Sequence, residues 1–217
     1  MRKVTGPRAI IFDWDGVLVQ SLGFIKNAFL ATIQHIKPLV PVDIENLPTF
    51  SLRTYFPEIF GERAKEAEKI FYEYVETHHL QALQTTPGAS ELLAFLHVSS
   101  CPLFVVSNKR GELLRKEVDY LNWKEYFIGV LGAGDCAEDK PSRVPVDKAL
   151  GLVGLQPSQD IWFVGDSVVD GECAAQSGCF FVFMDTKKNS SNNSNISADA
   201  VVFSCKDLKE KIIHNKV

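Results

Sequence analysis

The run Ile10-Ile11-Phe12-Asp13-Trp14-Asp15-Gly16-Val17-Leu18 decides the fold, because in it an apolar strand pattern ends in two acidic residues one position apart. A strand that continued through both would direct the carboxylates of Asp13 and Asp15 to the same side. Two like charges that close are unfavourable unless a cation or a proton is shared between them. Apolar residues flank the pair, so the pattern predicts a divalent metal site, proton-transfer chemistry, or both.

Composition limits the partners of the chain. Its 217 residues suggest one or two domains, and 46% hydrophobic with 23% charged residues is typical of a globular protein. The net charge of −4 gives no electrostatic surface for nucleic acid, and no apolar run approaches the ~20 residues that cross a bilayer. Five cysteines without a CxxC pair indicate reduced thiols, so we expect a cytoplasmic protein. Its oligomeric state, monomer or dimer, stays open.

Short apolar runs predict strands that are buried on both faces, as in a parallel sheet. These runs are 9–12, 103–106, 129–131, 161–164, 180–183 and 200–203. Helical patterns lie between most of them, at 89–97, 111–121, 146–153 and 171–177. Alternating strands and helices predict a doubly wound, Rossmann-like α/β parallel sheet.

One interval carries no strong strand pattern, and we interpret residues 20–85 as an inserted α-helical cap domain. Residues 1–19 and 86–217 then form the α/β core. Amphipathic patterns predict helices over 21–36 and 62–79, with prolines punctuating the region between them. Such an insertion can lie over the carboxyl ends of the strands, where open α/β sheets bind ligands.

Polar groups follow four of the predicted strands. Asp13 and Asp15 follow the first strand, Ser107-Asn108-Lys109 the second and Lys140-Pro141 the third, while Gly165-Asp166-Ser167-Val168-Val169-Asp170 follows the fourth. The carboxyl ends of parallel strands share one edge, so we expect these groups to converge.

The converged groups suit one kind of chemistry. Three or four carboxylates form a site for a hard cation, and oxygen-only ligands suit Mg²⁺. The Ser107 hydroxyl, the Asn108 amide and the Lys140 ammonium suit the oxygens of a phosphate. Magnesium, phosphate and a carboxylate nucleophile together predict phosphoryl transfer through an aspartyl-phosphate.

The ordered set resembles the motifs of the haloacid dehalogenase superfamily, in particular its phosphatases with a helical C1-type cap after the first motif. The motifs are Asp13-x-Asp15-Gly16, then Ser107, then Lys140-Pro141, then Gly165-Asp166-x-x-x-Asp170. Ser107-Asn108-Lys109 and Gly132-Ala133-Gly134-Asp135 are also similar to segments of phosphoglycolate phosphatases. The resemblance covers nearly the whole chain.

The resemblance implies roles for the acidic residues. Asp13 is expected to attack phosphorus, and Asp15 to protonate the leaving alkoxide and later deprotonate the hydrolytic water. Magnesium is expected on the Asp13 carboxylate, the Asp15 backbone carbonyl and the Asp166 carboxylate. Asp170 is expected to act through water or from behind these ligands. An acidic residue in the first turn of a helix also suits the helix dipole, so a purely structural Asp170 stays open.

The resemblance gives the remaining groups to the phosphate. Ser107 is expected to bind a phosphoryl oxygen with Asn108 beside it, and Lys140 to balance the charge of Asp13 and the phosphate. Ser107 or Asn108 could also cap the helix that follows, and Lys140 alone could be an exposed loop lysine.

The implied activity is Mg²⁺-dependent hydrolysis of a small phosphorylated metabolite, phosphoglycolate-like or a sugar phosphate. Two alternatives stay open. One is a phosphosugar mutase of the β-phosphoglucomutase type, which returns the phosphoryl group to a sugar. The other is a non-enzymatic phospho-acceptor module, which would hold the phosphoryl group without turnover.

Overall fold

The computed structural model describes residues 6–44, 52–186 and 196–214, with backbone only for residues 52–54. The Asn/Ser-rich composition of 187–195 predicts a polar loop, and Arg53, in the predicted insertion, is expected to have a solvated side chain. Both expectations fall outside the residues and side chains that the structure describes.

Within these described residues a six-stranded parallel sheet forms the core, in the order β3-β2-β1-β4-β5-β6. The strands are β1 Ala9–Phe12, β2 Leu103–Arg110, β3 Gly129–Ala133, β4 Ile161–Gly165, β5 Phe180–Met184 and β6 Ala200–Val202. Phe12 pairs with Val105 of β2 and with Val164 of β4, which places β1 in the middle of the sheet. The predicted doubly wound α/β sheet is confirmed.

Helices connect the strands and cover both faces of the sheet. They are α1 Leu22–His35, α2 Leu52–Phe60, α3 Ala64–Ala82, α4 Ala89–Val98, α5 Gly111–Tyr120, α6 Val144–Gly151, α7 Val168–Ser177 and α8 Cys205–His214. Single 3₁₀ turns occupy Gly61–Arg63 and Lys124–Tyr126. Alternate residues of β1 point to opposite faces. Ile10 and Phe12 pack with α4, α5 and α8, whereas Ala9 and Ile11 pack with α6 and α7.

The predicted helical insertion packs around an aromatic cluster of its own. The ring of Phe29 in α1 lies 5.4 Å from Phe56 in α2 and 5.2 Å from Phe71 in α3, centroid to centroid. Leu113 of α5 joins this cluster, so the insertion rests on the core through α5. The boundaries at residues 20 and 85 stay a prediction.

The chain enters and leaves the insertion side by side. The Gln20 amide donates to the Gln84 carbonyl at 2.8 Å, and the Thr86 amide donates to the Leu18 carbonyl at 2.9 Å. Two backbone contacts therefore tie the connecting segments together.

Helix α2 differs from the sequence-based prediction, in which Pro57 lies in a proline-punctuated connection between two helices. Proline inside a helix removes a backbone donor and costs about 3 kcal/mol. Here it lies within α2 and is exposed, while Phe56, Ile59 and Phe60 are buried. Tertiary burial of these apolar side chains outweighs the local propensity.

In the described part of the chain, no helix combines the length and the apolar character that a bilayer crossing requires.

Replacement of Phe71 by alanine tests the aromatic cluster. Phe71 is buried and contacts Phe29, Phe56 and Tyr72. We expect Phe71→Ala to lower the free energy of unfolding by about 3–5 kcal/mol, measured by urea titration, because it leaves a cavity between three helices. Leu30→Ala on half-exposed α1 surface is the matched control and should cost far less. An equal cost for both variants would contradict the assigned packing.

Candidate active site

The site lies where the strand order reverses, between β1 and β4. From β1 the chain continues to β2 and β3 on one side of the sheet, and from β4 it continues to β5 and β6 on the other. Such a reversal leaves a crevice at the carboxyl ends of the strands. Asp13 directly follows β1 and Asp166 directly follows β4. The Asp13 amide donates to the Val164 carbonyl at 2.9 Å, which fixes Asp13 at the mouth of the crevice.

Three of the predicted acidic residues meet in this crevice. One carboxylate oxygen from each of Asp13, Asp166 and Asp170 lies within 4.8 Å of the others. Gly16 makes this approach possible: its φ is +87°, and a Cβ atom there would collide with the Asp166 carboxylate. The first motif and the Asp166 loop can therefore lie in contact only because position 16 is glycine.

Lys140 supplies a buried cation to the acidic cluster. Its Nζ lies 2.8 Å from Asp13 Oδ1 and 2.6 Å from Asp170 Oδ1, and its side chain is 3% exposed. Burial lowers the pKa of the Lys140 ammonium, but the charges of Asp13 and Asp170 raise it further, so the net shift is upward. Lys140 is therefore charged, and the alternative of an exposed loop lysine is wrong.

The side-chain amide of Asn108 binds the backbone of Lys140 and does not point into the open crevice as a free group. Its Nδ2 donates to the Lys140 carbonyl and its Oδ1 accepts from the Lys140 amide, both at 3.0 Å. Ser107 is buried and its Oγ accepts the Lys109 amide at 3.2 Å, within a strand that continues past both residues to Arg110. The assignment of Ser107 and Asn108 to phosphate stays a prediction.

Asp170 has contacts of both kinds that the sequence left open, one with a predicted site residue and one with the start of a helix. Its Oδ2 accepts hydrogen bonds from the Ser167 hydroxyl at 2.6 Å and from the Ser167 and Asp166 amides at 3.1 and 3.2 Å. The Ser167 hydroxyl accepts the Asp170 amide in return, which completes a capping box at the start of α7. The other oxygen of Asp170 accepts the hydrogen bond of Lys140. Asp170 therefore fixes both the helix and the lysine.

Asp15 has a lysine of its own. Lys109 Nζ donates to Asp15 Oδ1 at 2.8 Å, whereas Lys140 contacts Asp13. The predicted partner of Lys140 is Asp13, and a second lysine, for which the sequence indicates no role, binds Asp15. Strand β1 ends at Phe12, so the alternation that would place both carboxylates on one side does not extend through residue 15.

Burial and charge together raise the pKa of Asp13 to about 7. Burial is the largest cause and the neighbouring Asp170 charge adds to it, while Lys140 acts in the opposite direction. A carboxylic acid with this pKa changes its charge near neutral pH.

The cluster suits a hard divalent cation. Three carboxylates and the Lys140 ammonium carry a formal charge of −2, which one such cation balances. All three candidate ligands are carboxylate oxygens, the type that Mg²⁺ prefers. Asp13 Oδ1 is buried without an aligned hydrogen bond, although the lysine lies nearby. Asp13 and Asp166 could therefore hold the cation.

Sequence reasoning missed four residues of the site, namely His79, Lys109, Glu117 and Ser167. The sequence places Lys109 in the motif Ser107-Asn108-Lys109 and indicates no role for it. Glu117 accepts hydrogen bonds from Lys109, Trp14 and His79. The sequence did contain a signal for two of the four. Glu117 and His79 each lie four residues after an apolar residue on the buried face of their helix, where a charged or polar side chain is unusual.

The raised pKa of Asp13 predicts a pH-dependent stability in the presence of EDTA. The unfolded chain ionises Asp13 near 3.8, whereas the folded protein keeps the proton up to about pH 7. The folded state binds more protons between these values, so the free energy of unfolding falls as pH rises through this window and then levels off. Relative to Asp13→Asn, the wild-type protein should lose about 2–3 kcal/mol between pH 5 and pH 8.

Urea unfolding of both proteins at the two pH values measures this difference. Asp160→Asn, at an exposed position, is the matched control and should follow the wild type. Parallel pH profiles for wild type and Asp13→Asn would contradict the assigned environment of Asp13.

Comparisons with known proteins find relatives that are phosphatases or hydrolases. The chain is similar to phosphoglycolate phosphatase from Chromobacterium violaceum, at 28% identity over 79% of this chain and 82% of that one. It is also similar to pyrophosphatase PpaX from Listeria welshimeri, at 26% identity over 75% and 76% of the two chains. A solved HAD-superfamily hydrolase from Ehrlichia chaffeensis superposes with a TM-score of 0.67 at 27% identity, covering 97% of this chain and 98% of that one.

The family described as haloacid dehalogenase-like hydrolase matches residues 10–184, a range that begins in β1, ends with β5 and contains every acidic residue and lysine of the site. The chain belongs to this family of haloacid dehalogenase-like hydrolases.

Proposed function

We propose that this hydrolase is a Mg²⁺-dependent phosphatase that cleaves a small phosphomonoester through an aspartyl-phosphate on Asp13. The enzyme is a phosphatase of the haloacid dehalogenase-like family. The convergence of Asp13, Asp166 and Asp170 at the reversal of the strand order, with Lys140 bound to Asp13 and Asp170, carries the proposal. The metal and the substrate are the parts that go beyond the family assignment.

In the first step a carboxylate oxygen of Asp13 attacks phosphorus and the bond from phosphorus to the leaving oxygen breaks. Asp15 donates its proton to that oxygen, so the product leaves as an alcohol. In the second step Asp15 takes a proton from water, the water oxygen attacks the aspartyl-phosphate, and inorganic phosphate and the Asp13 carboxylate are regenerated.

The surrounding groups balance charge during both steps. Lys140 is held between Asp13 and Asp170 and offsets negative charge on the Asp13 oxygens and the phosphoryl group. Asp13, Asp166 and the Asp15 backbone carbonyl would hold Mg²⁺, which supplies positive charge that favours the ionised, nucleophilic form of Asp13 and stabilises the transferring phosphoryl oxygens.

The inserted segment and the relatives together suggest the class of substrate. The inserted segment 20–85 would act as a lid that excludes water and selects the substrate. Phosphoglycolate and sugar phosphates are the first candidates, and inorganic pyrophosphate, an anhydride rather than a monoester, is the competing substrate because one relative is a pyrophosphatase.

A phosphate-release screen tests the proposal. The panel contains phosphoglycolate, sugar phosphates and pyrophosphate, each with Mg²⁺ and with EDTA. We expect release only with Mg²⁺, at least a 1,000-fold loss of kcat in Asp13→Asn, and a loss of about 100-fold or more in Asp15→Asn. The exposed Asp160→Asn variant is the control for the amide substitution.

Three outcomes would count against the proposal. Full activity in EDTA would remove the metal from it, and undiminished turnover of Asp13→Asn would remove the nucleophile. Conversion of β-glucose 1-phosphate to glucose 6-phosphate without phosphate release would favour the mutase.

Proton release gives a second, independent test of the metal. Mg²⁺ would bind the ionised form of Asp13, whose pKa is about 7 in the absence of metal. Affinity for Mg²⁺ should therefore rise by roughly tenfold between pH 6 and pH 8 in calorimetric titrations. The Asp13→Asn variant should bind Mg²⁺ more weakly and without this dependence. Affinity in the wild-type protein that does not change with pH would contradict the assignment of Asp13 as a ligand.

A further inference from the structure

A second buried cluster lies beside the acidic one and is centred on Glu117 of α5. Its Oε2 accepts hydrogen bonds from Trp14 Nε1 and from Lys109 Nζ, both at 2.7 Å, and its Oε1 lies 3.0 Å from His79 Nδ1. The side chain of Glu117 is 2% exposed. Since an ionised carboxylate is buried only when donors surround it, these three contacts are what keep Glu117 charged.

The cluster ends on the proton-transfer residue. Lys109 Nζ bridges Glu117 Oε2 and Asp15 Oδ1, at 2.7 and 2.8 Å. The side chain of Lys109 is 7% exposed, whereas that of Asp15 is 29% exposed. Asp15 is therefore the point at which this buried chain of contacts opens towards solvent.

Electrostatics keep the bridge charged. Burial lowers the pKa of Lys109, but the carboxylates of Asp15 and Glu117 outweigh it and the net shift is upward. Burial raises the pKa of Glu117, but the contacts with His79 and Lys109 outweigh it and the net shift is downward. An ammonium between two carboxylates has two directional partners, which restricts its position.

We propose that Glu117 and His79 are positioning residues that fix the ammonium of Lys109 and thereby hold the Asp15 carboxylate in one orientation for proton transfer. This inference rests on the proposed function, because it concerns the residue that protonates the leaving group. Misplacement of a reacting group by about 1 Å can cost about 100-fold in rate. Neither Glu117 nor His79 needs to contact the substrate.

His79 connects the inserted segment to this second cluster. It belongs to α3, it is buried, and its partner lies on α5 of the core. Helix α3 contacts the core a second time at the end of β2, where Arg110 lies 4.8 Å over the ring of Tyr72 and 3.6 Å from Glu76. The orientation of Asp15 therefore depends on α3 lying against the core.

The leaving group distinguishes positioning of Asp15 from a general structural role. Transfer from an alkyl ester needs a proton from Asp15, whereas p-nitrophenolate is a stable anion that leaves without one. We therefore compare single-turnover phosphoryl transfer from phosphoglycolate, or the best alkyl ester of the screen, with transfer from p-nitrophenyl phosphate. Enzyme is in excess over substrate, and Mg²⁺ is present.

The variants are Glu117→Gln and His79→Gln. The controls are Asp119→Asn on the exposed face of α5 and His78→Gln on the exposed face of α3. We expect Glu117→Gln to slow transfer from the alkyl ester by about tenfold or more and from the aryl ester by less than about threefold. His79→Gln should also slow transfer from the alkyl ester more than transfer from the aryl ester, with a slowing of the alkyl ester about one third as large as in Glu117→Gln. Both controls should match the wild type.

Equal slowing of the two esters, or no slowing, in a folded Glu117→Gln protein would overturn the inference. If Glu117→Gln does not fold, His79→Gln decides by the same criterion: a selective loss supports the inference and an unselective or absent loss overturns it. Wild-type protein that transfers phosphate from neither ester would instead overturn the proposed function, so the two failures are distinguishable.

Discussion

The site depends on one buried cation, the ammonium of Lys140 between Asp13 and Asp170. Burying a lysine costs several kcal/mol unless nearby carboxylates offset it, and removing Lys140 would leave two buried carboxylates without their cation. The same Asp170 caps α7 through Ser167, and the backbone of Lys140 is held at both polar groups by Asn108. The side chains that arrange charge in the site therefore also hold the local backbone, so a substitution among them affects both.

Much of this could be predicted from the sequence because it follows from strand ends. Near-continuous apolar runs specify a parallel sheet, and parallel strands bring their carboxyl ends to one edge. Asp13, Lys140, Asp166 and Asp170 follow such runs, so their convergence follows from topology alone. Whether Asp170 caps a helix or serves the site could not be decided from spacing, because both roles place an acidic residue in the first turn of α7. In the structure one oxygen of Asp170 takes part in the capping box and the other accepts the hydrogen bond of Lys140, so the same side chain contacts the helix end and a predicted site residue.

What escaped prediction depends on contacts between distant segments. Trp14 and Glu117 are 103 residues apart and His79 and Glu117 are 38 apart, so no local pattern pairs them. Their one local sign is a polar side chain within an apolar helical stripe, which marks burial but not the partner. Helix α2 escaped for a related reason: local propensity argued against a helix around Pro57, and only burial of its neighbours in the insertion reverses that preference.

The two aspartates of the first motif differ in what surrounds them. Asp13 is almost fully buried beside Lys140 and Asp170, and its pKa of about 7 lies far above that of an ordinary carboxyl group. Asp15, two residues later, is more than a quarter exposed and bound to Lys109. A nucleophile on phosphorus gains from a dry environment with nearby cations, whereas a proton carrier must reach both the leaving oxygen and water. The early end of β1 at Phe12 separates these environments, because it frees Asp15 from the alternation that would have placed it beside Asp13. A short strand thus gives two identical side chains in one motif the different environments that their proposed roles in one reaction require.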